Sequence, residues 1–252
     1  MTVKRVIIIQ ARMTSTRRPG KVLADLEERP MLVQQIFRLR HCRSVDQIVL
    51  ATTTNATDDP LVALAEAERL GYYRGSEYDV LSRYYEAAAQ FAADMIVRIT
   101  ADCPLIDAAI VDRVIDELVA SGGAYAYACN VIERTYPRGL DVEAMARDTL
   151  EKCHRMATSA EDREHVTSFI RRDRTGLFTI RSVKDTQDNS DLRWTVDTES
   201  DLALVRRIYH EMDLGRVYRA YPDILAYVRA HPELTKANLD SHTWDPMNGR
   251  QK

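Results

Sequence analysis

Apolar residues follow two alternating rhythms along this chain. Short continuous runs, VIII at 6–9, QIVLAT at 47–52 and MIVRIT at 95–100, are rich in β-branched residues and suit strands covered on both faces. Between them the apolar positions recur at helical spacing. Residues 31–39 (MLVQQIFRL) predict a helix, and so do residues 79–93. The stretch DDPLVALAEAERLG at 58–71 predicts another, with Asp58 or Asp59 as its cap, Pro60 in its first turn and Gly71 at its end. Asp107 caps a further helix whose Ile110, Val111, Val114, Ile115 and Leu118 share one face, with Gly122 and Gly123 after it. This alternation predicts a layered α/β fold with a mainly parallel sheet flanked by helices.

The middle is less regular. YAYACN (125–130), GLDVEAMA (139–146) and LFTIRSV (177–183) predict strands, and 160–172 predicts a helix. Near the end LRWTV (192–196) predicts a strand, and Thr198 with Asp201 forms a capping-box pattern opening a helix through Met212. No repeat or linker interrupts residues 1–230, which are expected to form one domain. Residues 231–252 are expected to be a polar, partly disordered tail, with Trp244 and Met247 as its candidate anchors.

Composition narrows the function. A net charge of −3 argues against a general nucleic-acid binder, so any cationic site must be local. No apolar stretch approaches a membrane span, and the N-terminus lacks the apolar segment of a signal peptide. Cys42, Cys103, Cys129 and Cys153 form no C-x-x-C pair, which predicts neither a disulfide framework nor a zinc site and makes the cytoplasm the expected location. Cys103 is read as a buried structural thiol.

Local positive charge is found directly after the first apolar run. In QARMTSTRRPGK, Arg12, Arg17, Arg18 and Lys21 are mixed with Thr14, Ser15, Thr16 and Gly20. A loop at the carboxyl end of a strand is where open α/β sheets hold ligands. Amides, hydroxyls and cations together suit a triphosphate, and a solvated basic loop is the alternative. Neither a P-loop nor a dinucleotide fingerprint is present. Asp102, at the end of the strand in VRITADCPLID, suits magnesium or, alternatively, a turn cap. Asp197, in RWTVDTESD, could converge on the same ion, while Asp201 has the simpler explanation of a helix N-terminal charge.

The segments IIIQARMTSTRRPGKVL, ATTTNATDDP, RGSEYDVLSRYYEAA, VRITADCPLID, PRGLDVE, REHVT and LRWTVDTESDLALVRRIY occur in this order from about residue 6 to 209. They resemble the cytidylyltransferase family of spore coat polysaccharide biosynthesis protein SpsF, which is similar to the synthetases of CMP-Kdo and CMP-sialic acid. The resemblance implies a Rossmann-like, GT-A-like nucleotidyltransferase domain that works as a homodimer with CTP and magnesium. It places Arg12, Met13, Ser15, Thr16, Arg17 and Lys21 on the nucleotide, Arg74 and Arg83 near its base or phosphates, and Arg98 with Thr100 near the nucleoside. Asp102 and Asp197 would hold magnesium, and with Arg12 and Lys21 would form the catalytic set. Arg138, Glu143, Arg163, Glu164 and His165 would serve an anionic acceptor, with His165 either a general base or a packing residue. The implied reaction is CMP transfer from CTP with release of pyrophosphate. A 3-deoxy-keto-acid sugar is the first acceptor considered and a phosphonate the second. Alternatives are another nucleotide transferred to a sugar phosphate, or a non-catalytic nucleotide-binding homologue. The chain departs from the family pattern at Arg18, where leucine is expected, at Ala101, where glycine is expected, and in the glycine-free ADLEERPML.

Overall fold

The computed structural model describes residues 3–173, 176–236 and 238. Strand β1 (Arg5–Gln10) lies in the middle of a sheet, with Val6, Ile7, Ile8 and Ile9 fully buried. The cationic loop and a single 3-10 turn (Lys21–Leu23) follow, then a small antiparallel pair, β2 (Asp25–Leu26) and β3 (Arg29–Pro30). Helix α1 (Met31–Leu39), β4 (Gln47–Thr53), α2 (Asp59–Ala67), β5 (Gly71–Gly75), α3 (Val80–Gln90), β6 (Met95–Thr100) and α4 (Ala108–Ala120) complete the regular half. The second half contains β7 (Tyr127–Cys129), β8 (Glu143–Ala146), α5 (Arg147–Met156), α6 (Ala160–His165), α7 (Ser168–Arg171), β9 (Ile180–Ser182), α8 (Glu199–Glu211), α9 (Tyr221–Ala230) and α10 (Pro232–Lys236).

The sheet runs β5-β4-β1-β6-β8-β7-β9; β5, β4, β1 and β6 are parallel, and β8 joins β6 antiparallel. Alternation along β1 divides the core. Ile7 and Ile9 pack with Leu32 and Ile36 of α1 and Val111 and Ile115 of α4, while Val6 and Ile8 pack with Leu81 and Tyr84 of α3. The mainly parallel, helix-flanked expectation holds, and it puts the carboxyl ends of β1 and β6 side by side.

Three local expectations need correction. Gly71 does not end α2; Arg69, at φ 56°, turns the chain, and Gly71 opens β5. The helix expected over 160–172 is split into α6 and α7, with Val166 at φ 60° between them. LRWTV is not a sheet strand. All five residues are buried, Arg193 and Thr195 included, but the backbone bridges the Arg138 segment instead of a sheet edge. The capping box at Thr198 and Asp201 is present and opens α8. Among the described residues no helix is long and apolar enough to cross a membrane. Leu234 of α10 is buried, whereas Trp244 and Met247 lie outside the described residues.

Candidate active site

The cationic loop is shaped by anchors at both ends. Asp58 is fully buried; its carboxylate accepts from the Met13 amide at 2.7 Å and from the hydroxyls of Thr52 and Thr53 at 3.0 and 2.6 Å. It therefore serves the loop and makes no side-chain cap on α2. Glu77 accepts from Thr14 Oγ1 at 2.5 Å and from Asn55 Nδ2 at 2.7 Å, and it faces Arg12 at 3.5 Å. These hydrogen bonds, with Arg12 behind them, hold its carboxyl below the usual range. At the far end, Gly20 (φ 71°) donates its amide to Met13 O at 2.8 Å, a left-handed turn that suits glycine and aims Lys21 inward.

Two distant parts of the chain meet Lys21 on the floor of the cleft. The Val196 amide donates to Asp102 O at 2.8 Å, which sets the segment after Trp194 against the end of β6. The buried Lys21 ammonium then reaches Val196 O at 2.7 Å, Asp197 Oδ1 at 2.8 Å and Asp102 Oδ2 at 3.3 Å. Burial alone would lower the lysine pKa, but Asp102 and Asp197 outweigh it and raise it. Burial likewise pushes the Asp102 carboxyl up, and Lys21 with the Thr100 hydroxyl, at 2.6 Å, pulls it below its ordinary value. Asp197 also accepts from Arg17 at 2.7 Å and Arg193 at 2.6 Å.

Above this floor is a cavity of about 650 Å³. Its walls include Arg12, Ser15, Thr16, Arg17, Lys21, Arg83, Arg98, Thr100 and Asp102, and α6 contributes Glu164 and His165. Arg98 is fixed between Glu143 at 3.0 Å and Gln10 at 3.0 Å. The donor set fits a hard divalent cation. Two carboxylates face one ammonium that occupies a cation's place, beside space for phosphate oxygens, as magnesium prefers. Among the described residues no cluster of three or more His, Cys, Asp or Glu forms an all-protein cage.

Six expected site residues do not line this cavity. Asp197 is one; it is buried beneath the wall, where Arg17 and Lys21 cover its carboxylate. Met13 contributes its amide to Asp58 while its side chain packs on the core. Arg74 is bonded to Thr53 O, Asn55 O and Asp59, each at 2.8 Å. Glu143 is buried behind Arg98. Arg138 lies beside Leu192, to whose carbonyl its amide donates at 2.9 Å. Arg163 clamps Asp79 at 2.9 and 2.6 Å, fastening α6 to the N-terminus of α3. Arg18 contacts neither open solvent alone nor the floor; it pairs with Glu199. Cys103 is buried, and burial raises its thiol well above normal, as expected of a structural cysteine. The sequence reading did not single out Asp58 as a loop anchor, Glu77, Arg193 or Asn238. An arginine set between the apolar Leu192 and Trp194 is the available sequence signal for Arg193.

A parallel α/β sheet, a cationic loop at the end of its first strand and paired carboxylates beneath that loop define a nucleotidyltransferase. A family model described as Cytidylyltransferase matches residues 6–224, and the chain belongs to that family. SpsF, the spore coat polysaccharide biosynthesis protein of Bacillus subtilis, is 30% identical, over 82% of this chain and 86% of SpsF. An uncharacterized protein of Methanocaldococcus jannaschii, MJ1063, is 32% identical, over 93% and 94% of the two chains. A solved cytidylyltransferase from Leptospira borgpetersenii serovar Hardjo-bovis has a TM-score of 0.88 at 30% identity, over 93% of this chain and 97% of its own.

Proposed function

We propose that this enzyme transfers CMP from CTP to an anionic acceptor and releases pyrophosphate. The observation that supports it is the convergence of Lys21, Asp102 and Asp197 on one point under a wall of arginines. An acceptor oxygen attacks the α-phosphorus in line. The protein has little covalent work in such a reaction, and positioning with charge stabilisation supplies the rate. Lys21, Arg12 and Arg17 exchange carboxylate partners for phosphate oxygens and stabilise the departing pyrophosphate. Asp102 and Asp197 would hold Mg²⁺, which when bound would supply neutralising charge to the phosphate. The His165 ring lines the cavity and has no hydrogen-bond partner among the described residues, so it is available to take the acceptor's proton.

An anionic acceptor is favoured because Arg83 remains on the wall after the loop cations are assigned to phosphates, while Arg98 beside it is paired with Glu143. The sequence resemblance makes a 3-deoxy-keto-acid sugar the first choice and a phosphonate the second. A cytoplasmic homodimer belongs to the same proposal.

Pyrophosphate release with each of four nucleoside triphosphates, Mg²⁺ and a panel of acidic acceptors tests this reading. Release is expected with CTP, and Lys21→Ala should lower turnover by about 10²-fold, as removal of other preorganised donors does. Equal release from all four nucleotides removes the CTP assignment, and normal turnover in Lys21→Ala removes the role given to the lysine.

A further inference from the structure

We infer that Asn238, which lies beyond the family match that ends at residue 224, is a positioning residue for Asp197 and acts through Arg193 and Asp201. The use of Asp197 in catalysis rests on the proposed function; the network itself is geometry. Asn238 is 1% exposed. Its Nδ2 donates to Arg193 O at 3.0 Å and to Asp201 Oδ1 at 3.1 Å. Arg193, also buried, spreads its guanidinium between Asp197 Oδ2 at 2.6 Å and Asp201 Oδ1 at 3.3 Å. Asp201 Oδ2 accepts the amides of Asp197 and Thr198, both at 3.0 Å. Asp197 is thus held twice, by Arg193 at its carboxylate and by Asp201 at its backbone. Both holds converge on one carboxamide.

The two holds differ in kind from the other partners of Asp197. Arg17 and Lys21 face the cavity and are the groups an incoming triphosphate would engage. The Arg193 guanidinium is shared with Asp201 and its carbonyl accepts from Asn238, so it stays on Asp197 when the others turn to the ligand. A buried carboxamide is costly unless its donors are used, and both partners of Asn238 belong to this network. Leu234, 1% exposed, pins the short helix that delivers it.

The test uses the full chain with Asn238→Ala, Arg193→Lys and the double variant. Arg193→Lys keeps the charge but loses the fork that spans two carboxylates. Asn238→Ala is expected to lower kcat about tenfold, because misplacement near 1 Å can cost up to about 10²-fold, and to raise the Mg²⁺ concentration for half-maximal rate. The double variant should be no slower than Arg193→Lys alone, as residues in one network are non-additive. Hydrogen exchange at Arg193 Nε–H, read by NMR without substrate, should accelerate at least tenfold in Asn238→Ala. If Asn238→Ala does not fold, Asn238→Ser retains a donor and should show the same changes in smaller measure. Unchanged Arg193 exchange overturns the inference even if the enzyme proves to use another nucleotide. Wild-type kcat in Asn238→Ala, or effects that multiply in the double variant, also overturn it. An inactive wild type with accelerated Arg193 exchange overturns the proposed function and leaves the positioning network standing.

Discussion

Asp102 is a carboxylate on which burial and charge act in opposite directions. Burial would raise its pKa, but the Lys21 ammonium and the Thr100 hydroxyl reverse the sign. The folded value therefore lies below the unfolded one of about 3.9. Linkage then makes the ionised group's stabilisation complete above that unfolded value, and it is lost as pH falls through the folded one. Urea unfolding of the wild type and Asp102→Asn should give a constant stability gap from about pH 5 to 7 that closes below about pH 4. A gap that widens on acidification would contradict the pairing. Lys21 works in the opposite direction. Its raised pKa means that its contribution is present throughout this range and is lost only in strong alkali.

At the scale of elements, the floor depends on a segment that belongs to no strand. The stretch around Trp194 lies against Arg138 and Gly139, and a Cβ on Gly139 would sit 2.5 Å from Thr195 N and 2.6 Å from Trp194 C. Gly139 also has φ +108°, a conformation other residues rarely adopt. Gly139→Ala is therefore expected to cost about 3 kcal/mol or more by urea denaturation, since backbone strain and overpacking add. It should also lower pyrophosphate release by moving Asp197 away from Lys21. A neutral result would mean that the two segments can separate without loss. The run 6–9 was legible in the sequence because two-sided burial excludes polar side chains whatever the topology. The apolar Leu192, Trp194 and Val196 were equally legible as burial, but a strand there required a sheet neighbour, and the actual neighbour is a glycine-bearing loop. Asp58 looked like a cap because Pro60 follows closely. Its partners, at Met13 and Thr53, come together only once β1 and β4 pair. Asn238 gave no signal at all, because a polar residue in a polar tail shows no pattern until its partners are in place.

At the scale of the whole molecule, the cleft and its floor join residues from Gln10 to Asp197, and the charges of its loop are already paired. Arg12 faces Glu77, Arg17 and Lys21 hold Asp197, Lys21 also meets Asp102, and Arg18 holds Glu199. A triphosphate arriving without a metal would draw Lys21 and Arg17 off the floor. That would leave Asp102 short of its cation and Asp197 with Arg193 alone, and an uncompensated buried charge is strongly unfavourable. On the proposed function, Mg²⁺ would return a cation to the two carboxylates if the lysine turned to phosphate. Nucleotide and metal are therefore expected to bind with positive coupling. Calorimetric titration should give a CTP dissociation constant at least about tenfold lower in Mg²⁺ than in EDTA, inside the usual range of coupling factors. In Lys21→Met, where no ammonium stands between the carboxylates, free Mn²⁺ should bind without nucleotide and be detectable by its EPR signal. Equal CTP affinity with and without the metal would show that the carboxylates tolerate the loss of Lys21. The lysine would then be a ligand for phosphate alone, with no part in keeping the floor neutral while the cleft is empty.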